Sequence, residues 1–314
     1  MDTRSIGQKT LVSVVIPVFS EAGILQELHR GILDALRHLG CSYEIVFVND
    51  GSTDGSLTTM LSLHDQDRNV KIVNLSRNFG HQNALMAGID CARGDAVVLM
   101  DADLEDDPKH ITEFVDHWSR GYDVVYAVRT KRDDTLLRKV SFRLFHALNR
   151  IASSIDIDAT GSFCLMDKKI VGYLKQLTER DMYLPGLRKW IGFNQVGIEI
   201  ARNRRYDRSP RVKTGHLFKL AFDSFTSFST LPLKVSIFFG IMFSMASFIG
   251  ILIVVILKLF YKGTMLGWAS IMSLLLLVGG VQLICMGLQG EYISRIFNEV
   301  KNRPHFIIKD KIGF

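Results

Sequence analysis

The sequence predicts an α/β domain built on a mostly parallel sheet, followed by a two-helix transmembrane hairpin. Three observations carry that expectation. Short apolar runs alternate with amphipathic stretches through residue 128. Two later spans, 233–257 and 266–288, each exceed the roughly 20 apolar residues that a membrane helix needs. Hydrophobic residues make up 47% of the 314-residue chain, and its mean hydropathy of +0.17 is high for a chain lying wholly in water.

The first five runs, LVSVVIPVF, YEIVFV, VKIVNL, DAVVLM and DVVYAV, read as short buried strands. Helical patterns such as 24–38 and 108–120 fall between them, and this alternation argues for a parallel sheet covered on both faces. Such sheets bind ligands at the carboxyl ends of their strands. Asn49-Asp50 and Asp101-Ala102-Asp103 stand at those ends.

After Arg129 comes a basic amphipathic segment, 136–151, then a polar stretch containing Thr160-Gly161-Ser162-Phe163. Seven Lys or Arg residues lie between 202 and 219: Arg202, Arg204, Arg205, Arg208, Arg211, Lys213 and Lys219. A charge run is most often a solvated face, but this one directly precedes an apolar span. The span 233–257 carries one Lys near its start, and 266–288 has only Gln282 as a strongly polar interior residue. Lys258 and Lys262 mark the turn between them, whereas Arg295, Lys301, Arg303, Lys309 and Lys311 follow the second. The positive-inside bias then puts both chain ends in the cytoplasm, in an inner-membrane protein. The expected organisation is a cytosolic catalytic domain at 1–220, an interfacial linker at 221–232, two transmembrane helices within 233–289 and a cytosolic tail at 290–314.

A net charge of +6 and a pI near 9.1 leave nucleic acid, anionic lipid and phosphorylated small molecules open. The position of the basic run favours lipid and phosphate, with no nucleic acid partner. Cys41, Cys91, Cys164 and Cys285 form no CxxC pair, which suits a reducing compartment. The polar N-terminus shows no signal-peptide core.

Asp101 and Asp103 end an apolar strand one residue apart, so both can reach one hard divalent cation that bridges diphosphate oxygens. The acids that follow, Glu105 to Asp107 ahead of Pro108, also suit a plain helix N-terminus. The loop from Asn49 through Asp54 suits a tight turn offering acceptors to a base or ribose, and equally an ordinary strand-to-helix connection.

Taken together, Val14-Val15-Ile16-Pro17-Val18-Phe19 with Glu21, the Asn49-Asp50-Gly51-Ser52 loop, Ser76-Arg77-Asn78-Phe79-Gly80-His81 and the acidic run from Asp101 to Pro108 resemble a known family. It is that of the nucleotide-sugar glycosyltransferases with the GT-A fold. The resemblance lies in the polyprenyl-phosphate branch, which includes dolichol-phosphate mannose synthases and bacterial bactoprenol glucosyltransferases. It continues through Thr160-Gly161-Ser162-Phe163, residues 184–193, the two apolar spans and Gly290-Glu291-Tyr292-Ile293-Ser294-Arg295-Ile296.

The resemblance implies that Asp50 contacts the base and ribose of a nucleotide sugar, with Pro17 and Glu21 lining that pocket. It implies that Asp101 and Asp103, with Glu105 beside them, hold Mg²⁺ or Mn²⁺ and the donor diphosphate. Arg129 and Arg138 fall near the acceptor phosphate, and Arg202, Arg205 and Arg211 on a segment closing over donor and lipid phosphate. The implied reaction is inverting transfer of a sugar, glucose from UDP-glucose as first choice, onto undecaprenyl or another polyprenyl phosphate for cell-envelope glycan modification. Further implied partners are the bilayer, other copies of the chain in a tetramer, and a separate flippase.

Three departures bear on this reading. Ser162 stands where many bacterial relatives have Asp, with Cys164 two residues on where they have Arg; Ser20 stands where Asn is usual; and the basic loop near residues 208–212 matches its family counterpart only loosely. The Ser162 and Cys164 departures motivate the alternative of a non-catalytic lipid-carrier binding or scaffold protein. A processive polysaccharide synthase would carry a QxxRW signature, which Arg188-Lys189-Trp190 does not supply. His81 has no second His at i+4 or Cys partner that would suggest zinc.

Overall fold

The computed structural model describes residues 3–129, 160–177, 179, 183–200, scattered positions between 236 and 256, and 267–314. Four of the apolar runs become β1 (Leu11–Val18), β2 (Ser42–Asn49), β3 (Val70–Leu75) and β4 (Ala96–Leu99). Val14, Val15, Val46, Phe47, Ile72 and Val98 are fully buried, as a sheet covered on both faces requires. These strands run parallel in the order β3-β2-β1-β4.

Between them lie α1 (Leu25–Arg37), α2 (Ser56–Gln66) and α3 (His81–Cys91). Leu25, Leu28, Ile32, Ala35 and Leu36 recur at three- and four-residue spacing and bury one stripe of α1. That stripe joins one apolar layer with α4 (His110–Ser119), where Phe114 packs on Phe163 with ring centroids 4.7 Å apart. On the opposite face α3 packs against β1 and β2. Gly88 permits the approach, because a Cβ there would stand 2.2 Å from Val15 Cγ1.

Beyond β4 the sheet continues with β5 (Val124–Arg129), β6 (Thr160–Asp167) and β7 (Gln195–Ile200). Strand β6 lies between β4 and β5, antiparallel to both, and β7 pairs parallel with β5. The α3 layer gains α5 (Lys168–Leu174) and α6 (Leu184–Ile191), through Ile170, Val171, Leu184 and Leu187. The predicted α/β architecture with a mostly parallel central sheet is therefore the one observed.

The other edge differs from expectation. Residues 308–312, within the segment read as a tail, form β8 (Ile308–Ile312) antiparallel to β3, giving the sheet order β7-β5-β6-β4-β1-β2-β3-β8. Lys309, Asp310 and Lys311 give this strand no apolar run, yet charged residues are what an outermost strand tolerates.

The chain forms two compact units. The first comprises Met1–Ala147, Ile155–Arg211 and Arg303–Phe314, and the second Leu148–Ser154 and Val212–Asn302. In the second, α7 (Trp268–Val300) is 33 residues long. Its Leu274, Leu275, Leu283 and Ile284 are exposed. Among the described residues no helix is long and apolar enough to cross a membrane. Several side chains in the N-terminal half of α7, where its longest apolar run falls, lie outside the described residues.

Candidate active site

The carboxyl ends of β1, β2, β3 and β4 open on a cleft of about 290 Å³ lined by Pro17, Glu21, Asp50, Asn78, Gly80, His81, Asp101 and Asp103, among others. This is the ligand position expected for parallel strands with helices on both faces. The loops that form it are tied to one another through side chains. Ser20 N donates to Ser52 Oγ at 3.1 Å, Glu21 N to Ser56 Oγ at 3.0 Å, and Ala22 N to Asp54 Oδ2 at 3.2 Å. Ser20 has φ +58°, a left-handed conformation that Asn adopts more readily than Ser.

Asp50 is only 3% exposed. Its Oδ1 accepts from Phe79 N at 2.7 Å and its Oδ2 from Gly80 N at 3.0 Å. It therefore holds the loop after β3 in shape as well as lining the cleft. The neighbouring Gly51 has φ +69°, and a Cβ there would meet Asn78 N at 2.5 Å, so the two loops can approach only with glycine at this position. Behind them Asn49 Nδ2 donates to Asn74 Oδ1 at 2.8 Å, and Asn74 Nδ2 to Asp310 Oδ2 at 3.1 Å, joining β2, β3 and β8.

Asp101 and Asp103 follow β4. Asp103 Oδ1 accepts from Glu105 N at 3.1 Å, and the intervening Leu104 has φ +58°. Asp101 Oδ1 lies 3.3 Å from His81 Nε2, at the first residue of α3, whose positive end opens beside the carboxylates. Ser162 Oγ stands 2.9 and 3.0 Å from the two Asp101 oxygens. Ser162 occupies a register break in β6: Tyr126 pairs with Cys164 and Val128 with Thr160, so a two-residue advance on β5 faces a four-residue advance on β6. Bulges of this kind re-aim side chains next to sites.

Two hard carboxylates at the mouth of a cleft suit a divalent cation that completes its shell with phosphate oxygens and water. Among the described residues no group of three or more His, Cys, Asp or Glu converges as a metal site. Glu105, the third residue expected to hold the metal, is 7% exposed and is not among the residues lining the cleft.

Pro17, Glu21, Asp50, Asp101 and Asp103 are thus brought together as expected. Arg129 closes β5, but its side chain, like Arg138, Arg202, Arg205 and Arg211, lies outside the described residues. Sequence reasoning left three features unassigned: His81 against Asp101, the backbone amides of Phe79 and Gly80 on Asp50, and Arg188. His81 was legible only as the last residue of the Ser76–His81 stretch. Arg188 of α6 is 4% exposed, and its guanidinium lies 4.5 Å from the Tyr126 ring centroid. Beside it is Cys164, whose thiol pKa is raised by burial against the lowering influence of Arg188.

Residues 13–174 match the glycosyl transferase family 2 model, and residues 231–296 match the GtrB C-terminal hairpin. The uncharacterized glycosyltransferase YkcC of Bacillus subtilis is 40% identical over 303 residues, covering 96% of this chain and 94% of that protein. The SfII prophage-derived bactoprenol glucosyl transferase of Shigella flexneri is 35% identical over 300 residues, covering 95% of this chain and 97% of that one. The family match covers half of the chain and contains every residue that lines the cleft. The chain belongs to glycosyl transferase family 2 and is a glycosyltransferase.

Proposed function

We propose that this enzyme transfers a sugar from a nucleotide sugar to a polyprenyl phosphate, with inversion at the anomeric carbon and UDP-glucose as the first-choice donor. The observation that carries the reading is the cleft in which Asp101 and Asp103 face the loop held by Asp50, at the carboxyl ends of four parallel strands. The similarity to bactoprenol glucosyl transferases over nearly the whole chain supports a polyprenyl carrier as acceptor.

In this reading the nucleoside lies on the Pro17, Glu21 and Asp50 side, and the diphosphate reaches Asp101 and Asp103. These two carboxylates would hold Mg²⁺ or Mn²⁺, which supplies charge stabilisation to the departing nucleoside diphosphate. An anionic oxygen of the lipid phosphate forms the new bond to C1 as the C1–oxygen bond to the diphosphate breaks. A phosphate monoester, with a second pKa near 6, is already largely ionised at neutral pH, so no carboxylate base is required. Ser162 directs its hydroxyl proton to Asp101 and orients that carboxylate rather than removing a proton from substrate.

The reading includes anchoring by two transmembrane helices within 233–289, with the cleft on the cytoplasmic face. The apolar spans and the hairpin match at 231–296 support it. Reporters at the N-terminus and after Lys309 should then be cytoplasmic, and one at Lys262 external; a cytoplasmic Lys262 would remove the anchor. A homo-tetramer and a separate flippase belong to the same proposal, since two helices make no conduit.

The direct test is a screen of radiolabelled nucleotide sugars with undecaprenyl phosphate and Mg²⁺ or Mn²⁺. A lipid-soluble labelled product is expected, first with UDP-glucose. No such product from any donor would overturn the reading.

A further inference from the structure

The transfer chemistry above makes no use of Arg188, although it is the most deeply buried Lys or Arg side chain among the described residues, 4% exposed. A guanidinium taken out of water needs an anion or a full set of acceptors. Its Nε has no hydrogen-bond partner. None of the carboxylates of the described residues forms an ion pair with it. Tyr126 offers a ring face at 4.5 Å, which attracts a cation but carries no charge. Nor is Cys164 the counter-ion: burial raises its pKa despite the adjacent guanidinium, so it remains a neutral thiol at neutral pH.

The position of this charge in the sheet indicates what it serves. Cys164 pairs with Leu99 of β4 and with Tyr126 of β5, which places the guanidinium beyond β4, on the side away from β2 and Asp50. Two residues along β6, Ser162 reaches Asp101 at the rim of the cleft. With a nucleotide on the Asp50 side, the second anionic substrate would come to Asp101 from the Ser162 side. A charge set in the protein wall is screened far less than one in solvent, so it acts on that substrate without direct contact.

We propose that Arg188 is the buried counter-charge that positions the phosphate monoester of the acceptor beside Asp101 and Ser162. The inference rests on the transfer reading above. It predicts that acceptor binding keeps a component which high salt does not remove, unlike any contribution from the basic run at 202–219.

The test uses the full-length protein in detergent, titrated with a short-chain polyprenyl phosphate, with the matching uncharged alcohol and with UDP-glucose. Arg188→Met should weaken binding of the phosphate about tenfold or more at both low and high salt. Its KM for UDP-glucose and its binding of the alcohol should stay near wild type. Arg188→Lys should recover much of the loss, because it keeps the charge. The thermal midpoint of unliganded Arg188→Met should be unchanged or higher, since an apolar side chain replaces a buried charge that no carboxylate of the described residues pairs.

Phosphate binding equal to wild type in Arg188→Met, with transfer intact, would overturn the role of Arg188 alone. A lowered midpoint with equal losses for both substrates, or failure to fold, would make the guanidinium structural and likewise overturn it. A wild-type protein that neither binds nor glycosylates the phosphate would instead remove the transfer reading itself.

Discussion

The hydroxyl of Ser162 donates to the carboxylate of Asp101, with Oγ 2.9 Å from Oδ1 and 3.0 Å from Oδ2. This contact joins residues 61 positions apart and gives the serine a definite task. A hydroxyl that orients a metal-binding carboxylate acts on metal affinity before it acts on chemistry. Ser162→Ala should therefore raise the Mg²⁺ or Mn²⁺ concentration for half-maximal activity by about 10–100-fold. Turnover should recover at saturating metal. Turnover abolished at every metal concentration would put the hydroxyl in the reaction itself.

Metal dependence follows from the pair at the end of β4. Excess chelator, or Asp103→Ala, should lower transfer by orders of magnitude, because several kcal/mol of transition-state charge stabilisation are lost. Circular dichroism should show the protein still folded. Full activity in excess chelator would refute the assignment of Asp101 and Asp103.

Gly51 tests whether the loops after β2 and β3 act as one unit. Its φ of +69° and the 2.5 Å that a Cβ would leave to Asn78 N mean that Gly51→Ala must displace the segment whose amides hold Asp50. Strain of this kind costs about 1–3 kcal/mol. The variant should show a lower thermal midpoint and a raised KM for the nucleotide sugar, with the KM for lipid less affected. Unchanged donor KM would separate this loop from the nucleotide site.

The C-terminal strand should matter to the site although no residue of β8 lines the cleft. Asp310→Ala removes an acceptor from Asn74, itself bonded to Asn49, and should cost about 1 kcal/mol of stability. Deleting 308–314 should do more, by baring the edge of β3. Aggregation or a clearly lowered thermal midpoint in the deletion, and a small shift in Asp310→Ala, are expected in thermal unfolding. A deletion as stable as the full chain would show that β8 is dispensable.

Much of the cleft was legible in the sequence because its residues sit beside strong local signals. Apolar runs ending in Asn49-Asp50 and in Asp101-Ala102-Asp103 announce strands with polar ends, and a parallel sheet collects such ends at one side. Pro17 and Glu21, at the end of β1 and just beyond it, came instead from the family resemblance. The left-handed backbone of Leu104, between Asp103 and Glu105, was not legible there, because acidic composition does not reveal such a backbone choice.

The sequence by itself determined the strands β1 to β5, the helical segments α1 and α4, and the polar ends at Asn49-Asp50 and Asp101-Ala102-Asp103. Hydrophobic periodicity is a property of neighbours along the chain, and burial then follows from it. Only the tertiary structure decided that Ser162 reaches Asp101, that Arg188 stands behind Cys164, and that the charged residues 308–312 complete the sheet beside β3. These pairings join segments far apart in sequence, whose adjacency depends on strand order, register and chain return. A bulge in β6 and an edge strand without an apolar run leave no periodic trace by which composition could announce them.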